Sequence, residues 1–262
     1  MSGLSKNNAR IRELRKIIKD PKQRLESGKF AVEGLELLNE SIITGNHPVD
    51  VFLSASSDMS GEIEKLISET DAKLWRIEDD LLSSIASTVT PQPIIATLPR
   101  LDMAMENVVT NESTFLLVGI GINEPGNAGS MIRSAASAGA HGVIFSTNSV
   151  DIYNPKTVRS SAGALFRVPV VCGVETSSIL HAIKQKQINL IGLSGKGTRI
   201  YTEIDYSSPF AILLGNESRG LDPTIFQEMD HLAVIPMDAG VESLNVATAA
   251  SIVSFEAKRQ RA

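Results

Sequence analysis

The rhythm of apolar and polar positions changes near residue 113. Before it, short apolar runs alternate with amphipathic stretches. A basic helix is predicted over 7–19, ending before Pro21, then a strand over 29–32 and a helix over 34–43 with Leu35, Leu38 and Ile42 on one side. Strands at 49–53, 73–76 and 93–98, with helices at 60–70 and 78–85, complete a small α/β or α+β layer. A polar stretch, 101–112, reads as a linker. Beyond it, apolar runs at 115–119, 142–146, 168–171, 188–193, 210–214 and 232–236 are nearly continuous. Runs of that kind are expected of parallel strands covered by helices on both faces. A last, alanine-rich helix over about 244–259 ends in Lys258, Arg259 and Arg261, which suit a helix C-terminus. The expected organisation is a small domain over 1–100, a linker over 101–112 and an α/β domain over 113–262.

Composition narrows the class. The 262 residues are 42% hydrophobic and 21% charged, which excludes a largely disordered chain. No apolar run approaches the ~18–20 residues that cross a bilayer. The first apolar residues are broken by charge, so no secretory signal is expected. The single cysteine, Cys172, fits a buried thiol in a reducing, cytoplasmic compartment. The four histidines (His47, His141, His181, His231) show no metal-ligand spacing, and no metal is expected.

Net charge is −5, yet it is unevenly spread. Residues 1–29 hold nine Lys/Arg against three acids, a net of +6, leaving −11 for the remainder. That asymmetry suits a basic arm that meets phosphates or a solvated helix face. A mitochondrial transit peptide is disfavoured by the internal acids Glu13 and Asp20.

Three loops at predicted strand C-termini stand out, where open α/β sheets place ligands. The first, NEPGNAGSMIR (123–133), leads into a helix; Asn127 is expected as its N-cap, and Arg133 lies off the apolar face. The glycines here do not match G-x-G-x-x-G, since the residue three beyond Gly121 is Glu124, which disfavours a nucleotide-dependent oxidoreductase. The second, LGNESRGL (214–221), sets the carboxylate of Glu217 between Gly215 and Gly220, which permit tight turns. The third, IPMDAGVESLN (235–245), precedes the last helix, with Ser243 expected as N-cap. Each also has a purely structural reading, and no loop offers a Ser-His-Asp set.

In this order and spacing, the three loops resemble the motifs of the SpoU/TrmH family of S-adenosylmethionine-dependent RNA 2′-O-ribose methyltransferases, within the SPOUT superfamily. The segment 156–164 (KTVRSSAGA) is similar to that family's R-x-S-x-G stretch near the substrate, with Arg159 and Ser161. The start, SKNNARIRELR followed by FAVEG (30–34), is similar to the ribosomal-protein-like domain that precedes many such catalytic domains. The resemblance implies an α/β fold: a C-terminal parallel sheet tied in a trefoil knot, behind a smaller N-terminal α/β domain. It also implies a homodimer with the active site near the subunit interface.

From the same resemblance, the methyl donor is cradled chiefly by backbone around Leu214, Gly215, Asn216, Gly220, Ile235, Met237 and Leu244. Arg133, Asn245, Asn127, Glu217 and Ser243 are the catalytic candidates. Displacement at a sulfonium methyl needs in-line placement and a destination for the hydroxyl proton, and no metal. A neutral guanidine is costly, because arginine stays protonated in proteins. Arg133 is therefore expected to grip the neighbouring phosphate and polarise the hydroxyl, while Asn127 and Asn245 orient nucleophile and ribose. Arg10, Arg12, Arg15 and Lys16, with Arg159 and Ser161, are the RNA-binding candidates. Ribosomal RNA is expected ahead of transfer RNA. The alternatives are a transfer-RNA methyltransferase and a catalytically decayed RNA-binding scaffold.

Overall fold

The computed structural model describes residues 4–88, 90–112, 114–238 and 243–262. In chain order the first elements are α1 (Ala9–Lys19), α2 (Pro21–Ser27), β1 (Lys29–Glu33), α3 (Leu35–Ile43), β2 (Asp50–Ser54), α4 (Ser60–Leu66), β3 (Lys73–Ile77), α5 (Asp79–Ile85) and β4 (Ile94–Pro99). Next come α6 (Met105–Val108), β5 (Phe115–Gly119), α7 (Pro125–Ala138), β6 (Gly142–Ser146), α8 (Pro155–Ser160), β7 (Val170–Val174) and α9 (Thr176–Gln185). The chain finishes with β8 (Asn189–Leu193), β9 (Arg199–Ile200), β10 (Phe210–Leu214), β11 (His231–Val234) and α10 (Val246–Gln260). It divides into two compact units. The first comprises residues 1–101 with Tyr153–Phe166, the second Asp102–Ile152 with Arg167–Ala262.

In the first unit, α1 forms because Asn8 caps its first turn, accepting from the Arg10 amide at 2.9 Å, and because Ile11, Leu14, Ile17 and Ile18 recur at helical spacing. All four are buried with Phe52, Ile77 and Leu82. Asp20 ends α1 and caps α2, where Pro21 takes the first helical position. Arg24 of α2 is 2% exposed; it donates to the carbonyl oxygens of Ile17 at 2.7 Å and Ile18 at 3.1 Å, satisfying groups that α1's end leaves open. The sheet order is β1-β4-β2-β3, with β2 and β3 parallel and β4 antiparallel to β1 and β2. The segment 153–166 completes this unit. Tyr153 packs against Phe30, ring centroids 4.9 Å apart, and its hydroxyl accepts from the Leu101 amide at 2.8 Å.

The second unit carries seven strands in the order β7-β6-β5-β10-β8-β11-β9, every pairing parallel, as the apolar runs predict. Strands β5, β6 and β10 are buried at every position. Helices α7 and α10 pack together; Ser134 and Ser251 join hydroxyls at 2.6 Å and Lys258 Nζ donates to the Ser137 carbonyl at 2.9 Å. In the stretch expected as linker, Val108 and Val109 are buried in this unit's core.

The structure moves two expected caps. α7 starts at Pro125 with Glu124 at its N-cap, so Asn127 lies inside the first turn and its side chain is free for other partners. α10 starts at Val246 with Asn245 as N-cap, not Ser243; the Asn245 Oδ1 accepts from the amides of Ala247 at 2.9 Å and Thr248 at 3.3 Å. Among the described residues no helix is long and apolar enough to cross a membrane.

Candidate active site

The three motif loops converge at the C-terminal end of the second unit's sheet. Ile120, just past β5, donates its amide to Leu214 at the end of β10 at 2.8 Å. Asn216 then clamps the two loops: its Nδ2 donates to the Gly121 carbonyl at 2.9 Å, and its Oδ1 accepts from the amides of Ser218 at 3.0 Å and Arg219 at 3.2 Å. Gly215 is required by contact. A Cβ there would sit 2.1 Å from the backbone of Gly220 and Leu221.

Glu217 is the acceptor around which the site is built. Its carboxylate takes the amide of Asn123 at 3.2 Å, the amide of Glu124 at 3.0 Å, Asn127 Nδ2 at 3.0 Å and Asn216 Nδ2 at 3.3 Å. Burial pushes this carboxyl up, but the hydrogen bonds from Asn127 and the backbone outweigh it and hold the pKa below the ordinary 4.5. The ionised form is the one these donors need.

The relay continues through Asn127. With its Nδ2 given to Glu217, its Oδ1 faces the other way and accepts from Asn245 Nδ2 at 2.9 Å. Asn245 must then present its Oδ1 to the start of α10, as observed. The carboxylate fixes the orientation of Asn127, and Asn127 that of Asn245, so one residue from each motif forms a single polar chain.

Beside this chain opens a cavity of about 350 Å³, within the range of small-molecule sites. It is lined by Leu214, Gly215, Asn216, Gly220, Ile235, Met237, Ser243 and Leu244, with Glu217, Val246 and Ala249. Every residue expected to cradle the methyl donor is here. Glycines, backbone and aliphatic side chains suit a ligand with a flat heterocycle and an aliphatic arm. Residues 239–242 of the third motif lie outside the described residues. Sequence reasoning missed the other wall, Leu193-Ser194-Gly195-Lys196 after β8, although the glycines at 195 and 197 following an apolar run were a signal.

Arg133, on α7, is exposed, and its guanidinium makes no hydrogen bond or ion pair among the described residues. Ser243 is exposed at the cavity wall. No group of three or more His, Cys, Asp or Glu among the described residues is placed to hold a metal ion.

The expected RNA-binding residues all belong to the first unit and are less uniform. Arg12 and Lys16 are exposed. Arg10 instead donates to buried Asp50 at 3.0 Å and lies over the Trp75 ring at 4.5 Å, while Trp75 Nε1 holds the same carboxylate at 2.7 Å. Arg15 reaches Ser84 Oγ at 3.4 Å. Arg159 is exposed, donating to Ser87 Oγ at 3.0 Å. Ser161 is fully buried and its hydroxyl donates to the Val158 carbonyl at 2.7 Å.

The chain is 28% identical over 251 residues to the 23S rRNA (guanosine(2553)-2′-O)-methyltransferase RlmP of Bacillus subtilis, covering 96% of each. It is 30% identical over 223 residues to the 23S rRNA (guanosine-2′-O-)-methyltransferase RlmB of Xylella fastidiosa, covering 82% of this chain and 90% of that one. Among solved structures, the SpoU methyltransferase AviRb from Streptomyces viridochromogenes in complex with the cofactor AdoMet superposes with a TM-score of 0.89 at 27% identity, over 97% of this chain and 98% of that one. Residues 8–96 match the MRM3-like substrate binding domain. Residues 114–255, which hold all three loops, the relay and the cavity, match the SpoU rRNA Methylase family, and the chain belongs to that family.

Proposed function

We propose that this protein transfers a methyl group from S-adenosylmethionine to a ribose 2′-hydroxyl of ribosomal RNA, in the cytoplasm and as a homodimer. The observation that carries the reading is the Asn245–Asn127–Glu217 chain, which joins the three motif loops beside a cavity of donor size. S-adenosylmethionine, when bound, would supply an electrophilic methyl on a sulfonium, whose sulfur leaves as a neutral thioether and needs neither a metal nor an acid.

The chain's own residues then have three tasks. Leu214, Gly215, Gly220, Ile235, Met237 and Leu244 bind the donor by shape and backbone. Asn127 and Asn245, with amides fixed by Glu217, orient the incoming ribose. Arg133 grips the adjacent phosphate and polarises the 2′-hydroxyl, whose proton passes to phosphate or water, because a guanidinium, already protonated, cannot take it. Ser243 shapes the wall. The first unit, through Arg12, Lys16 and Arg159, holds RNA backbone; Arg10, Arg15 and Ser161 support that surface from behind.

The test is transfer of labelled methyl from S-adenosylmethionine to unmodified ribosomal and transfer RNA transcripts, followed by nucleoside mass spectrometry. A 2′-O-methylated nucleoside in ribosomal RNA, absent with Asn245→Ala, is expected. Label in transfer RNA alone would move the substrate, and donor binding without transfer to any RNA or ribosomal particle would leave a scaffold.

A further inference from the structure

The wall of the cavity carries two cations that the proposed reaction has not yet used. Lys196, on the loop between β8 and β9, and Arg219, in the second motif, both line the cavity and are exposed. Neither side chain makes a hydrogen bond or ion pair among the described residues. Their backbones, by contrast, are pinned. The Lys196 amide donates to Ser194 Oγ at 3.2 Å, and the loop is tied to β11 by the Ser194 amide on Ala233 and the Thr198 amide on Leu232, each at 3.0 Å. The Arg219 amide donates to Asn216 Oδ1 at 3.2 Å. Two long, flexible cationic arms therefore project from fixed points. The acid of the second motif, Glu217, takes its hydrogen bonds from four amide donors and forms no ion pair with either cation among the described residues.

An anion at this mouth is the natural complement. Elsewhere the second unit carries more acids than bases and repels a polyanion as a whole. A 2′-hydroxyl, though, sits on the carbon next to the one bearing the 3′-phosphate. Any ribose brought to a methyl group in this cavity brings a phosphodiester to its rim. We propose that Lys196 and Arg219 bind the phosphodiester backbone flanking the target ribose and so set the register of the RNA over the donor. The inference rests on the reading that the cavity holds the methyl donor. The donor's own carboxylate offers the same chemistry, and the experiment separates the two.

The variants are Lys196→Ala, Arg219→Ala and the pair, each checked by thermal melting against the parent. An unmodified 23S rRNA transcript and S-adenosylhomocysteine are the probes. In the double variant the KM for RNA is expected to rise roughly tenfold or more, while the slope of log affinity against log salt becomes shallower by about 1.4, the loss of two phosphate contacts to single-stranded RNA. The Kd for S-adenosylhomocysteine, by calorimetry, stays at the parental value. Weakened S-adenosylhomocysteine binding with an unchanged salt slope would assign the pair to the donor's carboxylate and overturn the proposal, as would parental values for both. If the parent transfers no methyl, the function reading fails by itself, and filter binding of the transcript across the salt series still decides whether the two cations contact phosphate.

Discussion

Replacing Glu217 by glutamine tests the relay at its origin. The substitution keeps size and removes only charge and one acceptor, so any effect comes from the hydrogen bonds. Four donors converge on this side chain: the amides of Asn123 and Glu124, and the Nδ2 groups of Asn127 and Asn216. A glutamine offers one carbonyl oxygen and one NH₂, so at least one donor must face another donor. Hydrogen bonds to a charged group contribute about 1.5–3 kcal/mol each, and a stranded buried donor costs a further 1–3 kcal/mol. Partial exposure lets water recover some of this, so a loss of about 3 kcal/mol is expected, or roughly 6–12 °C in Tm for a unit of this size.

The functional effect is separate. If the glutamine NH₂ faces Asn127, that amide must rotate to offer its oxygen, and the oxygen is then withdrawn from Asn245. The start of α10 and the Asn127 and Asn245 amides, proposed to orient the ribose, lose their register together, and a misplacement of about 1 Å can cost ~10²-fold in rate. Single-turnover methyl transfer to a 23S rRNA transcript reads this directly, with differential scanning fluorimetry for stability. Asn127→Asp sharpens the test. It sets a second carboxylate 3.0 Å from the first, where both cannot ionise comfortably, so activity should recover as pH falls and the pair shares a proton. A Glu217→Gln enzyme that melts with the parent and transfers at the parental rate would refute the reasoning.

Arg133→Ala should lower the rate ~10²-fold or more with Tm unchanged, because the proposed role of Arg133 is to hold charge beside the reacting hydroxyl, while its exposed guanidinium makes no hydrogen bond or ion pair among the described residues; a parental rate in the single-turnover assay would remove Arg133 from the reaction. Gly215→Ala places a Cβ 2.1 Å from backbone that cannot give way; calorimetry should find S-adenosylhomocysteine binding abolished, and retained affinity would refute the cradle. Arg12→Glu with Lys16→Glu should weaken RNA binding and flatten its salt dependence without lowering Tm, since both are exposed on α1; deleting α1 instead would unfold the first unit, whose core holds Ile11, Leu14, Ile17 and Ile18. In Glu33 and Glu217 burial raises the pKa, but hydrogen bonds, from Thr88, Ser87 and Gln92 in the first case, bring both below 4.5. Their contribution to stability is complete above that value and is lost as pH falls through the folded values, so a Tm series should decline below pH 4.5; a flat acid limb would contradict it.

The elements legible from sequence were those whose burial imposes a period. The runs at 115–119, 142–146 and 210–214 became β5, β6 and β10 with the predicted bounds, because a strand covered on both faces is apolar at every position. Elements held by something else were not legible. Strand β9 is two exposed residues, paired with β11 and too short to show a period. Helix α2 is seven residues organised by Asp20, Pro21 and the buried Arg24, with no apolar stripe to announce it. Tertiary partners relocated the caps: Ser243 and Asn127 are good N-cap types, but Asn245 and Glu124 hold those positions.

The same reasoning sorts the cations of the basic segment. Charge counts treat every cation alike, whereas the fold spends several internally. Arg24 caps α1, Arg10 is shared between Asp50 and Trp75, and Lys29 pairs with Glu13 at 2.8 Å. Those remaining exposed on α1, Arg12, Lys16 and Lys19, are the ones apolar periodicity leaves on the outer face. The site inverts the case. Its motif residues look like turn formers, and the three side chains that form the relay stand 90 and 118 residues apart along the chain. No local pattern encodes a contact of that separation. A carboxylate that organises an amide, which organises a second amide, is visible only once the parallel sheet has brought its strand ends to one edge.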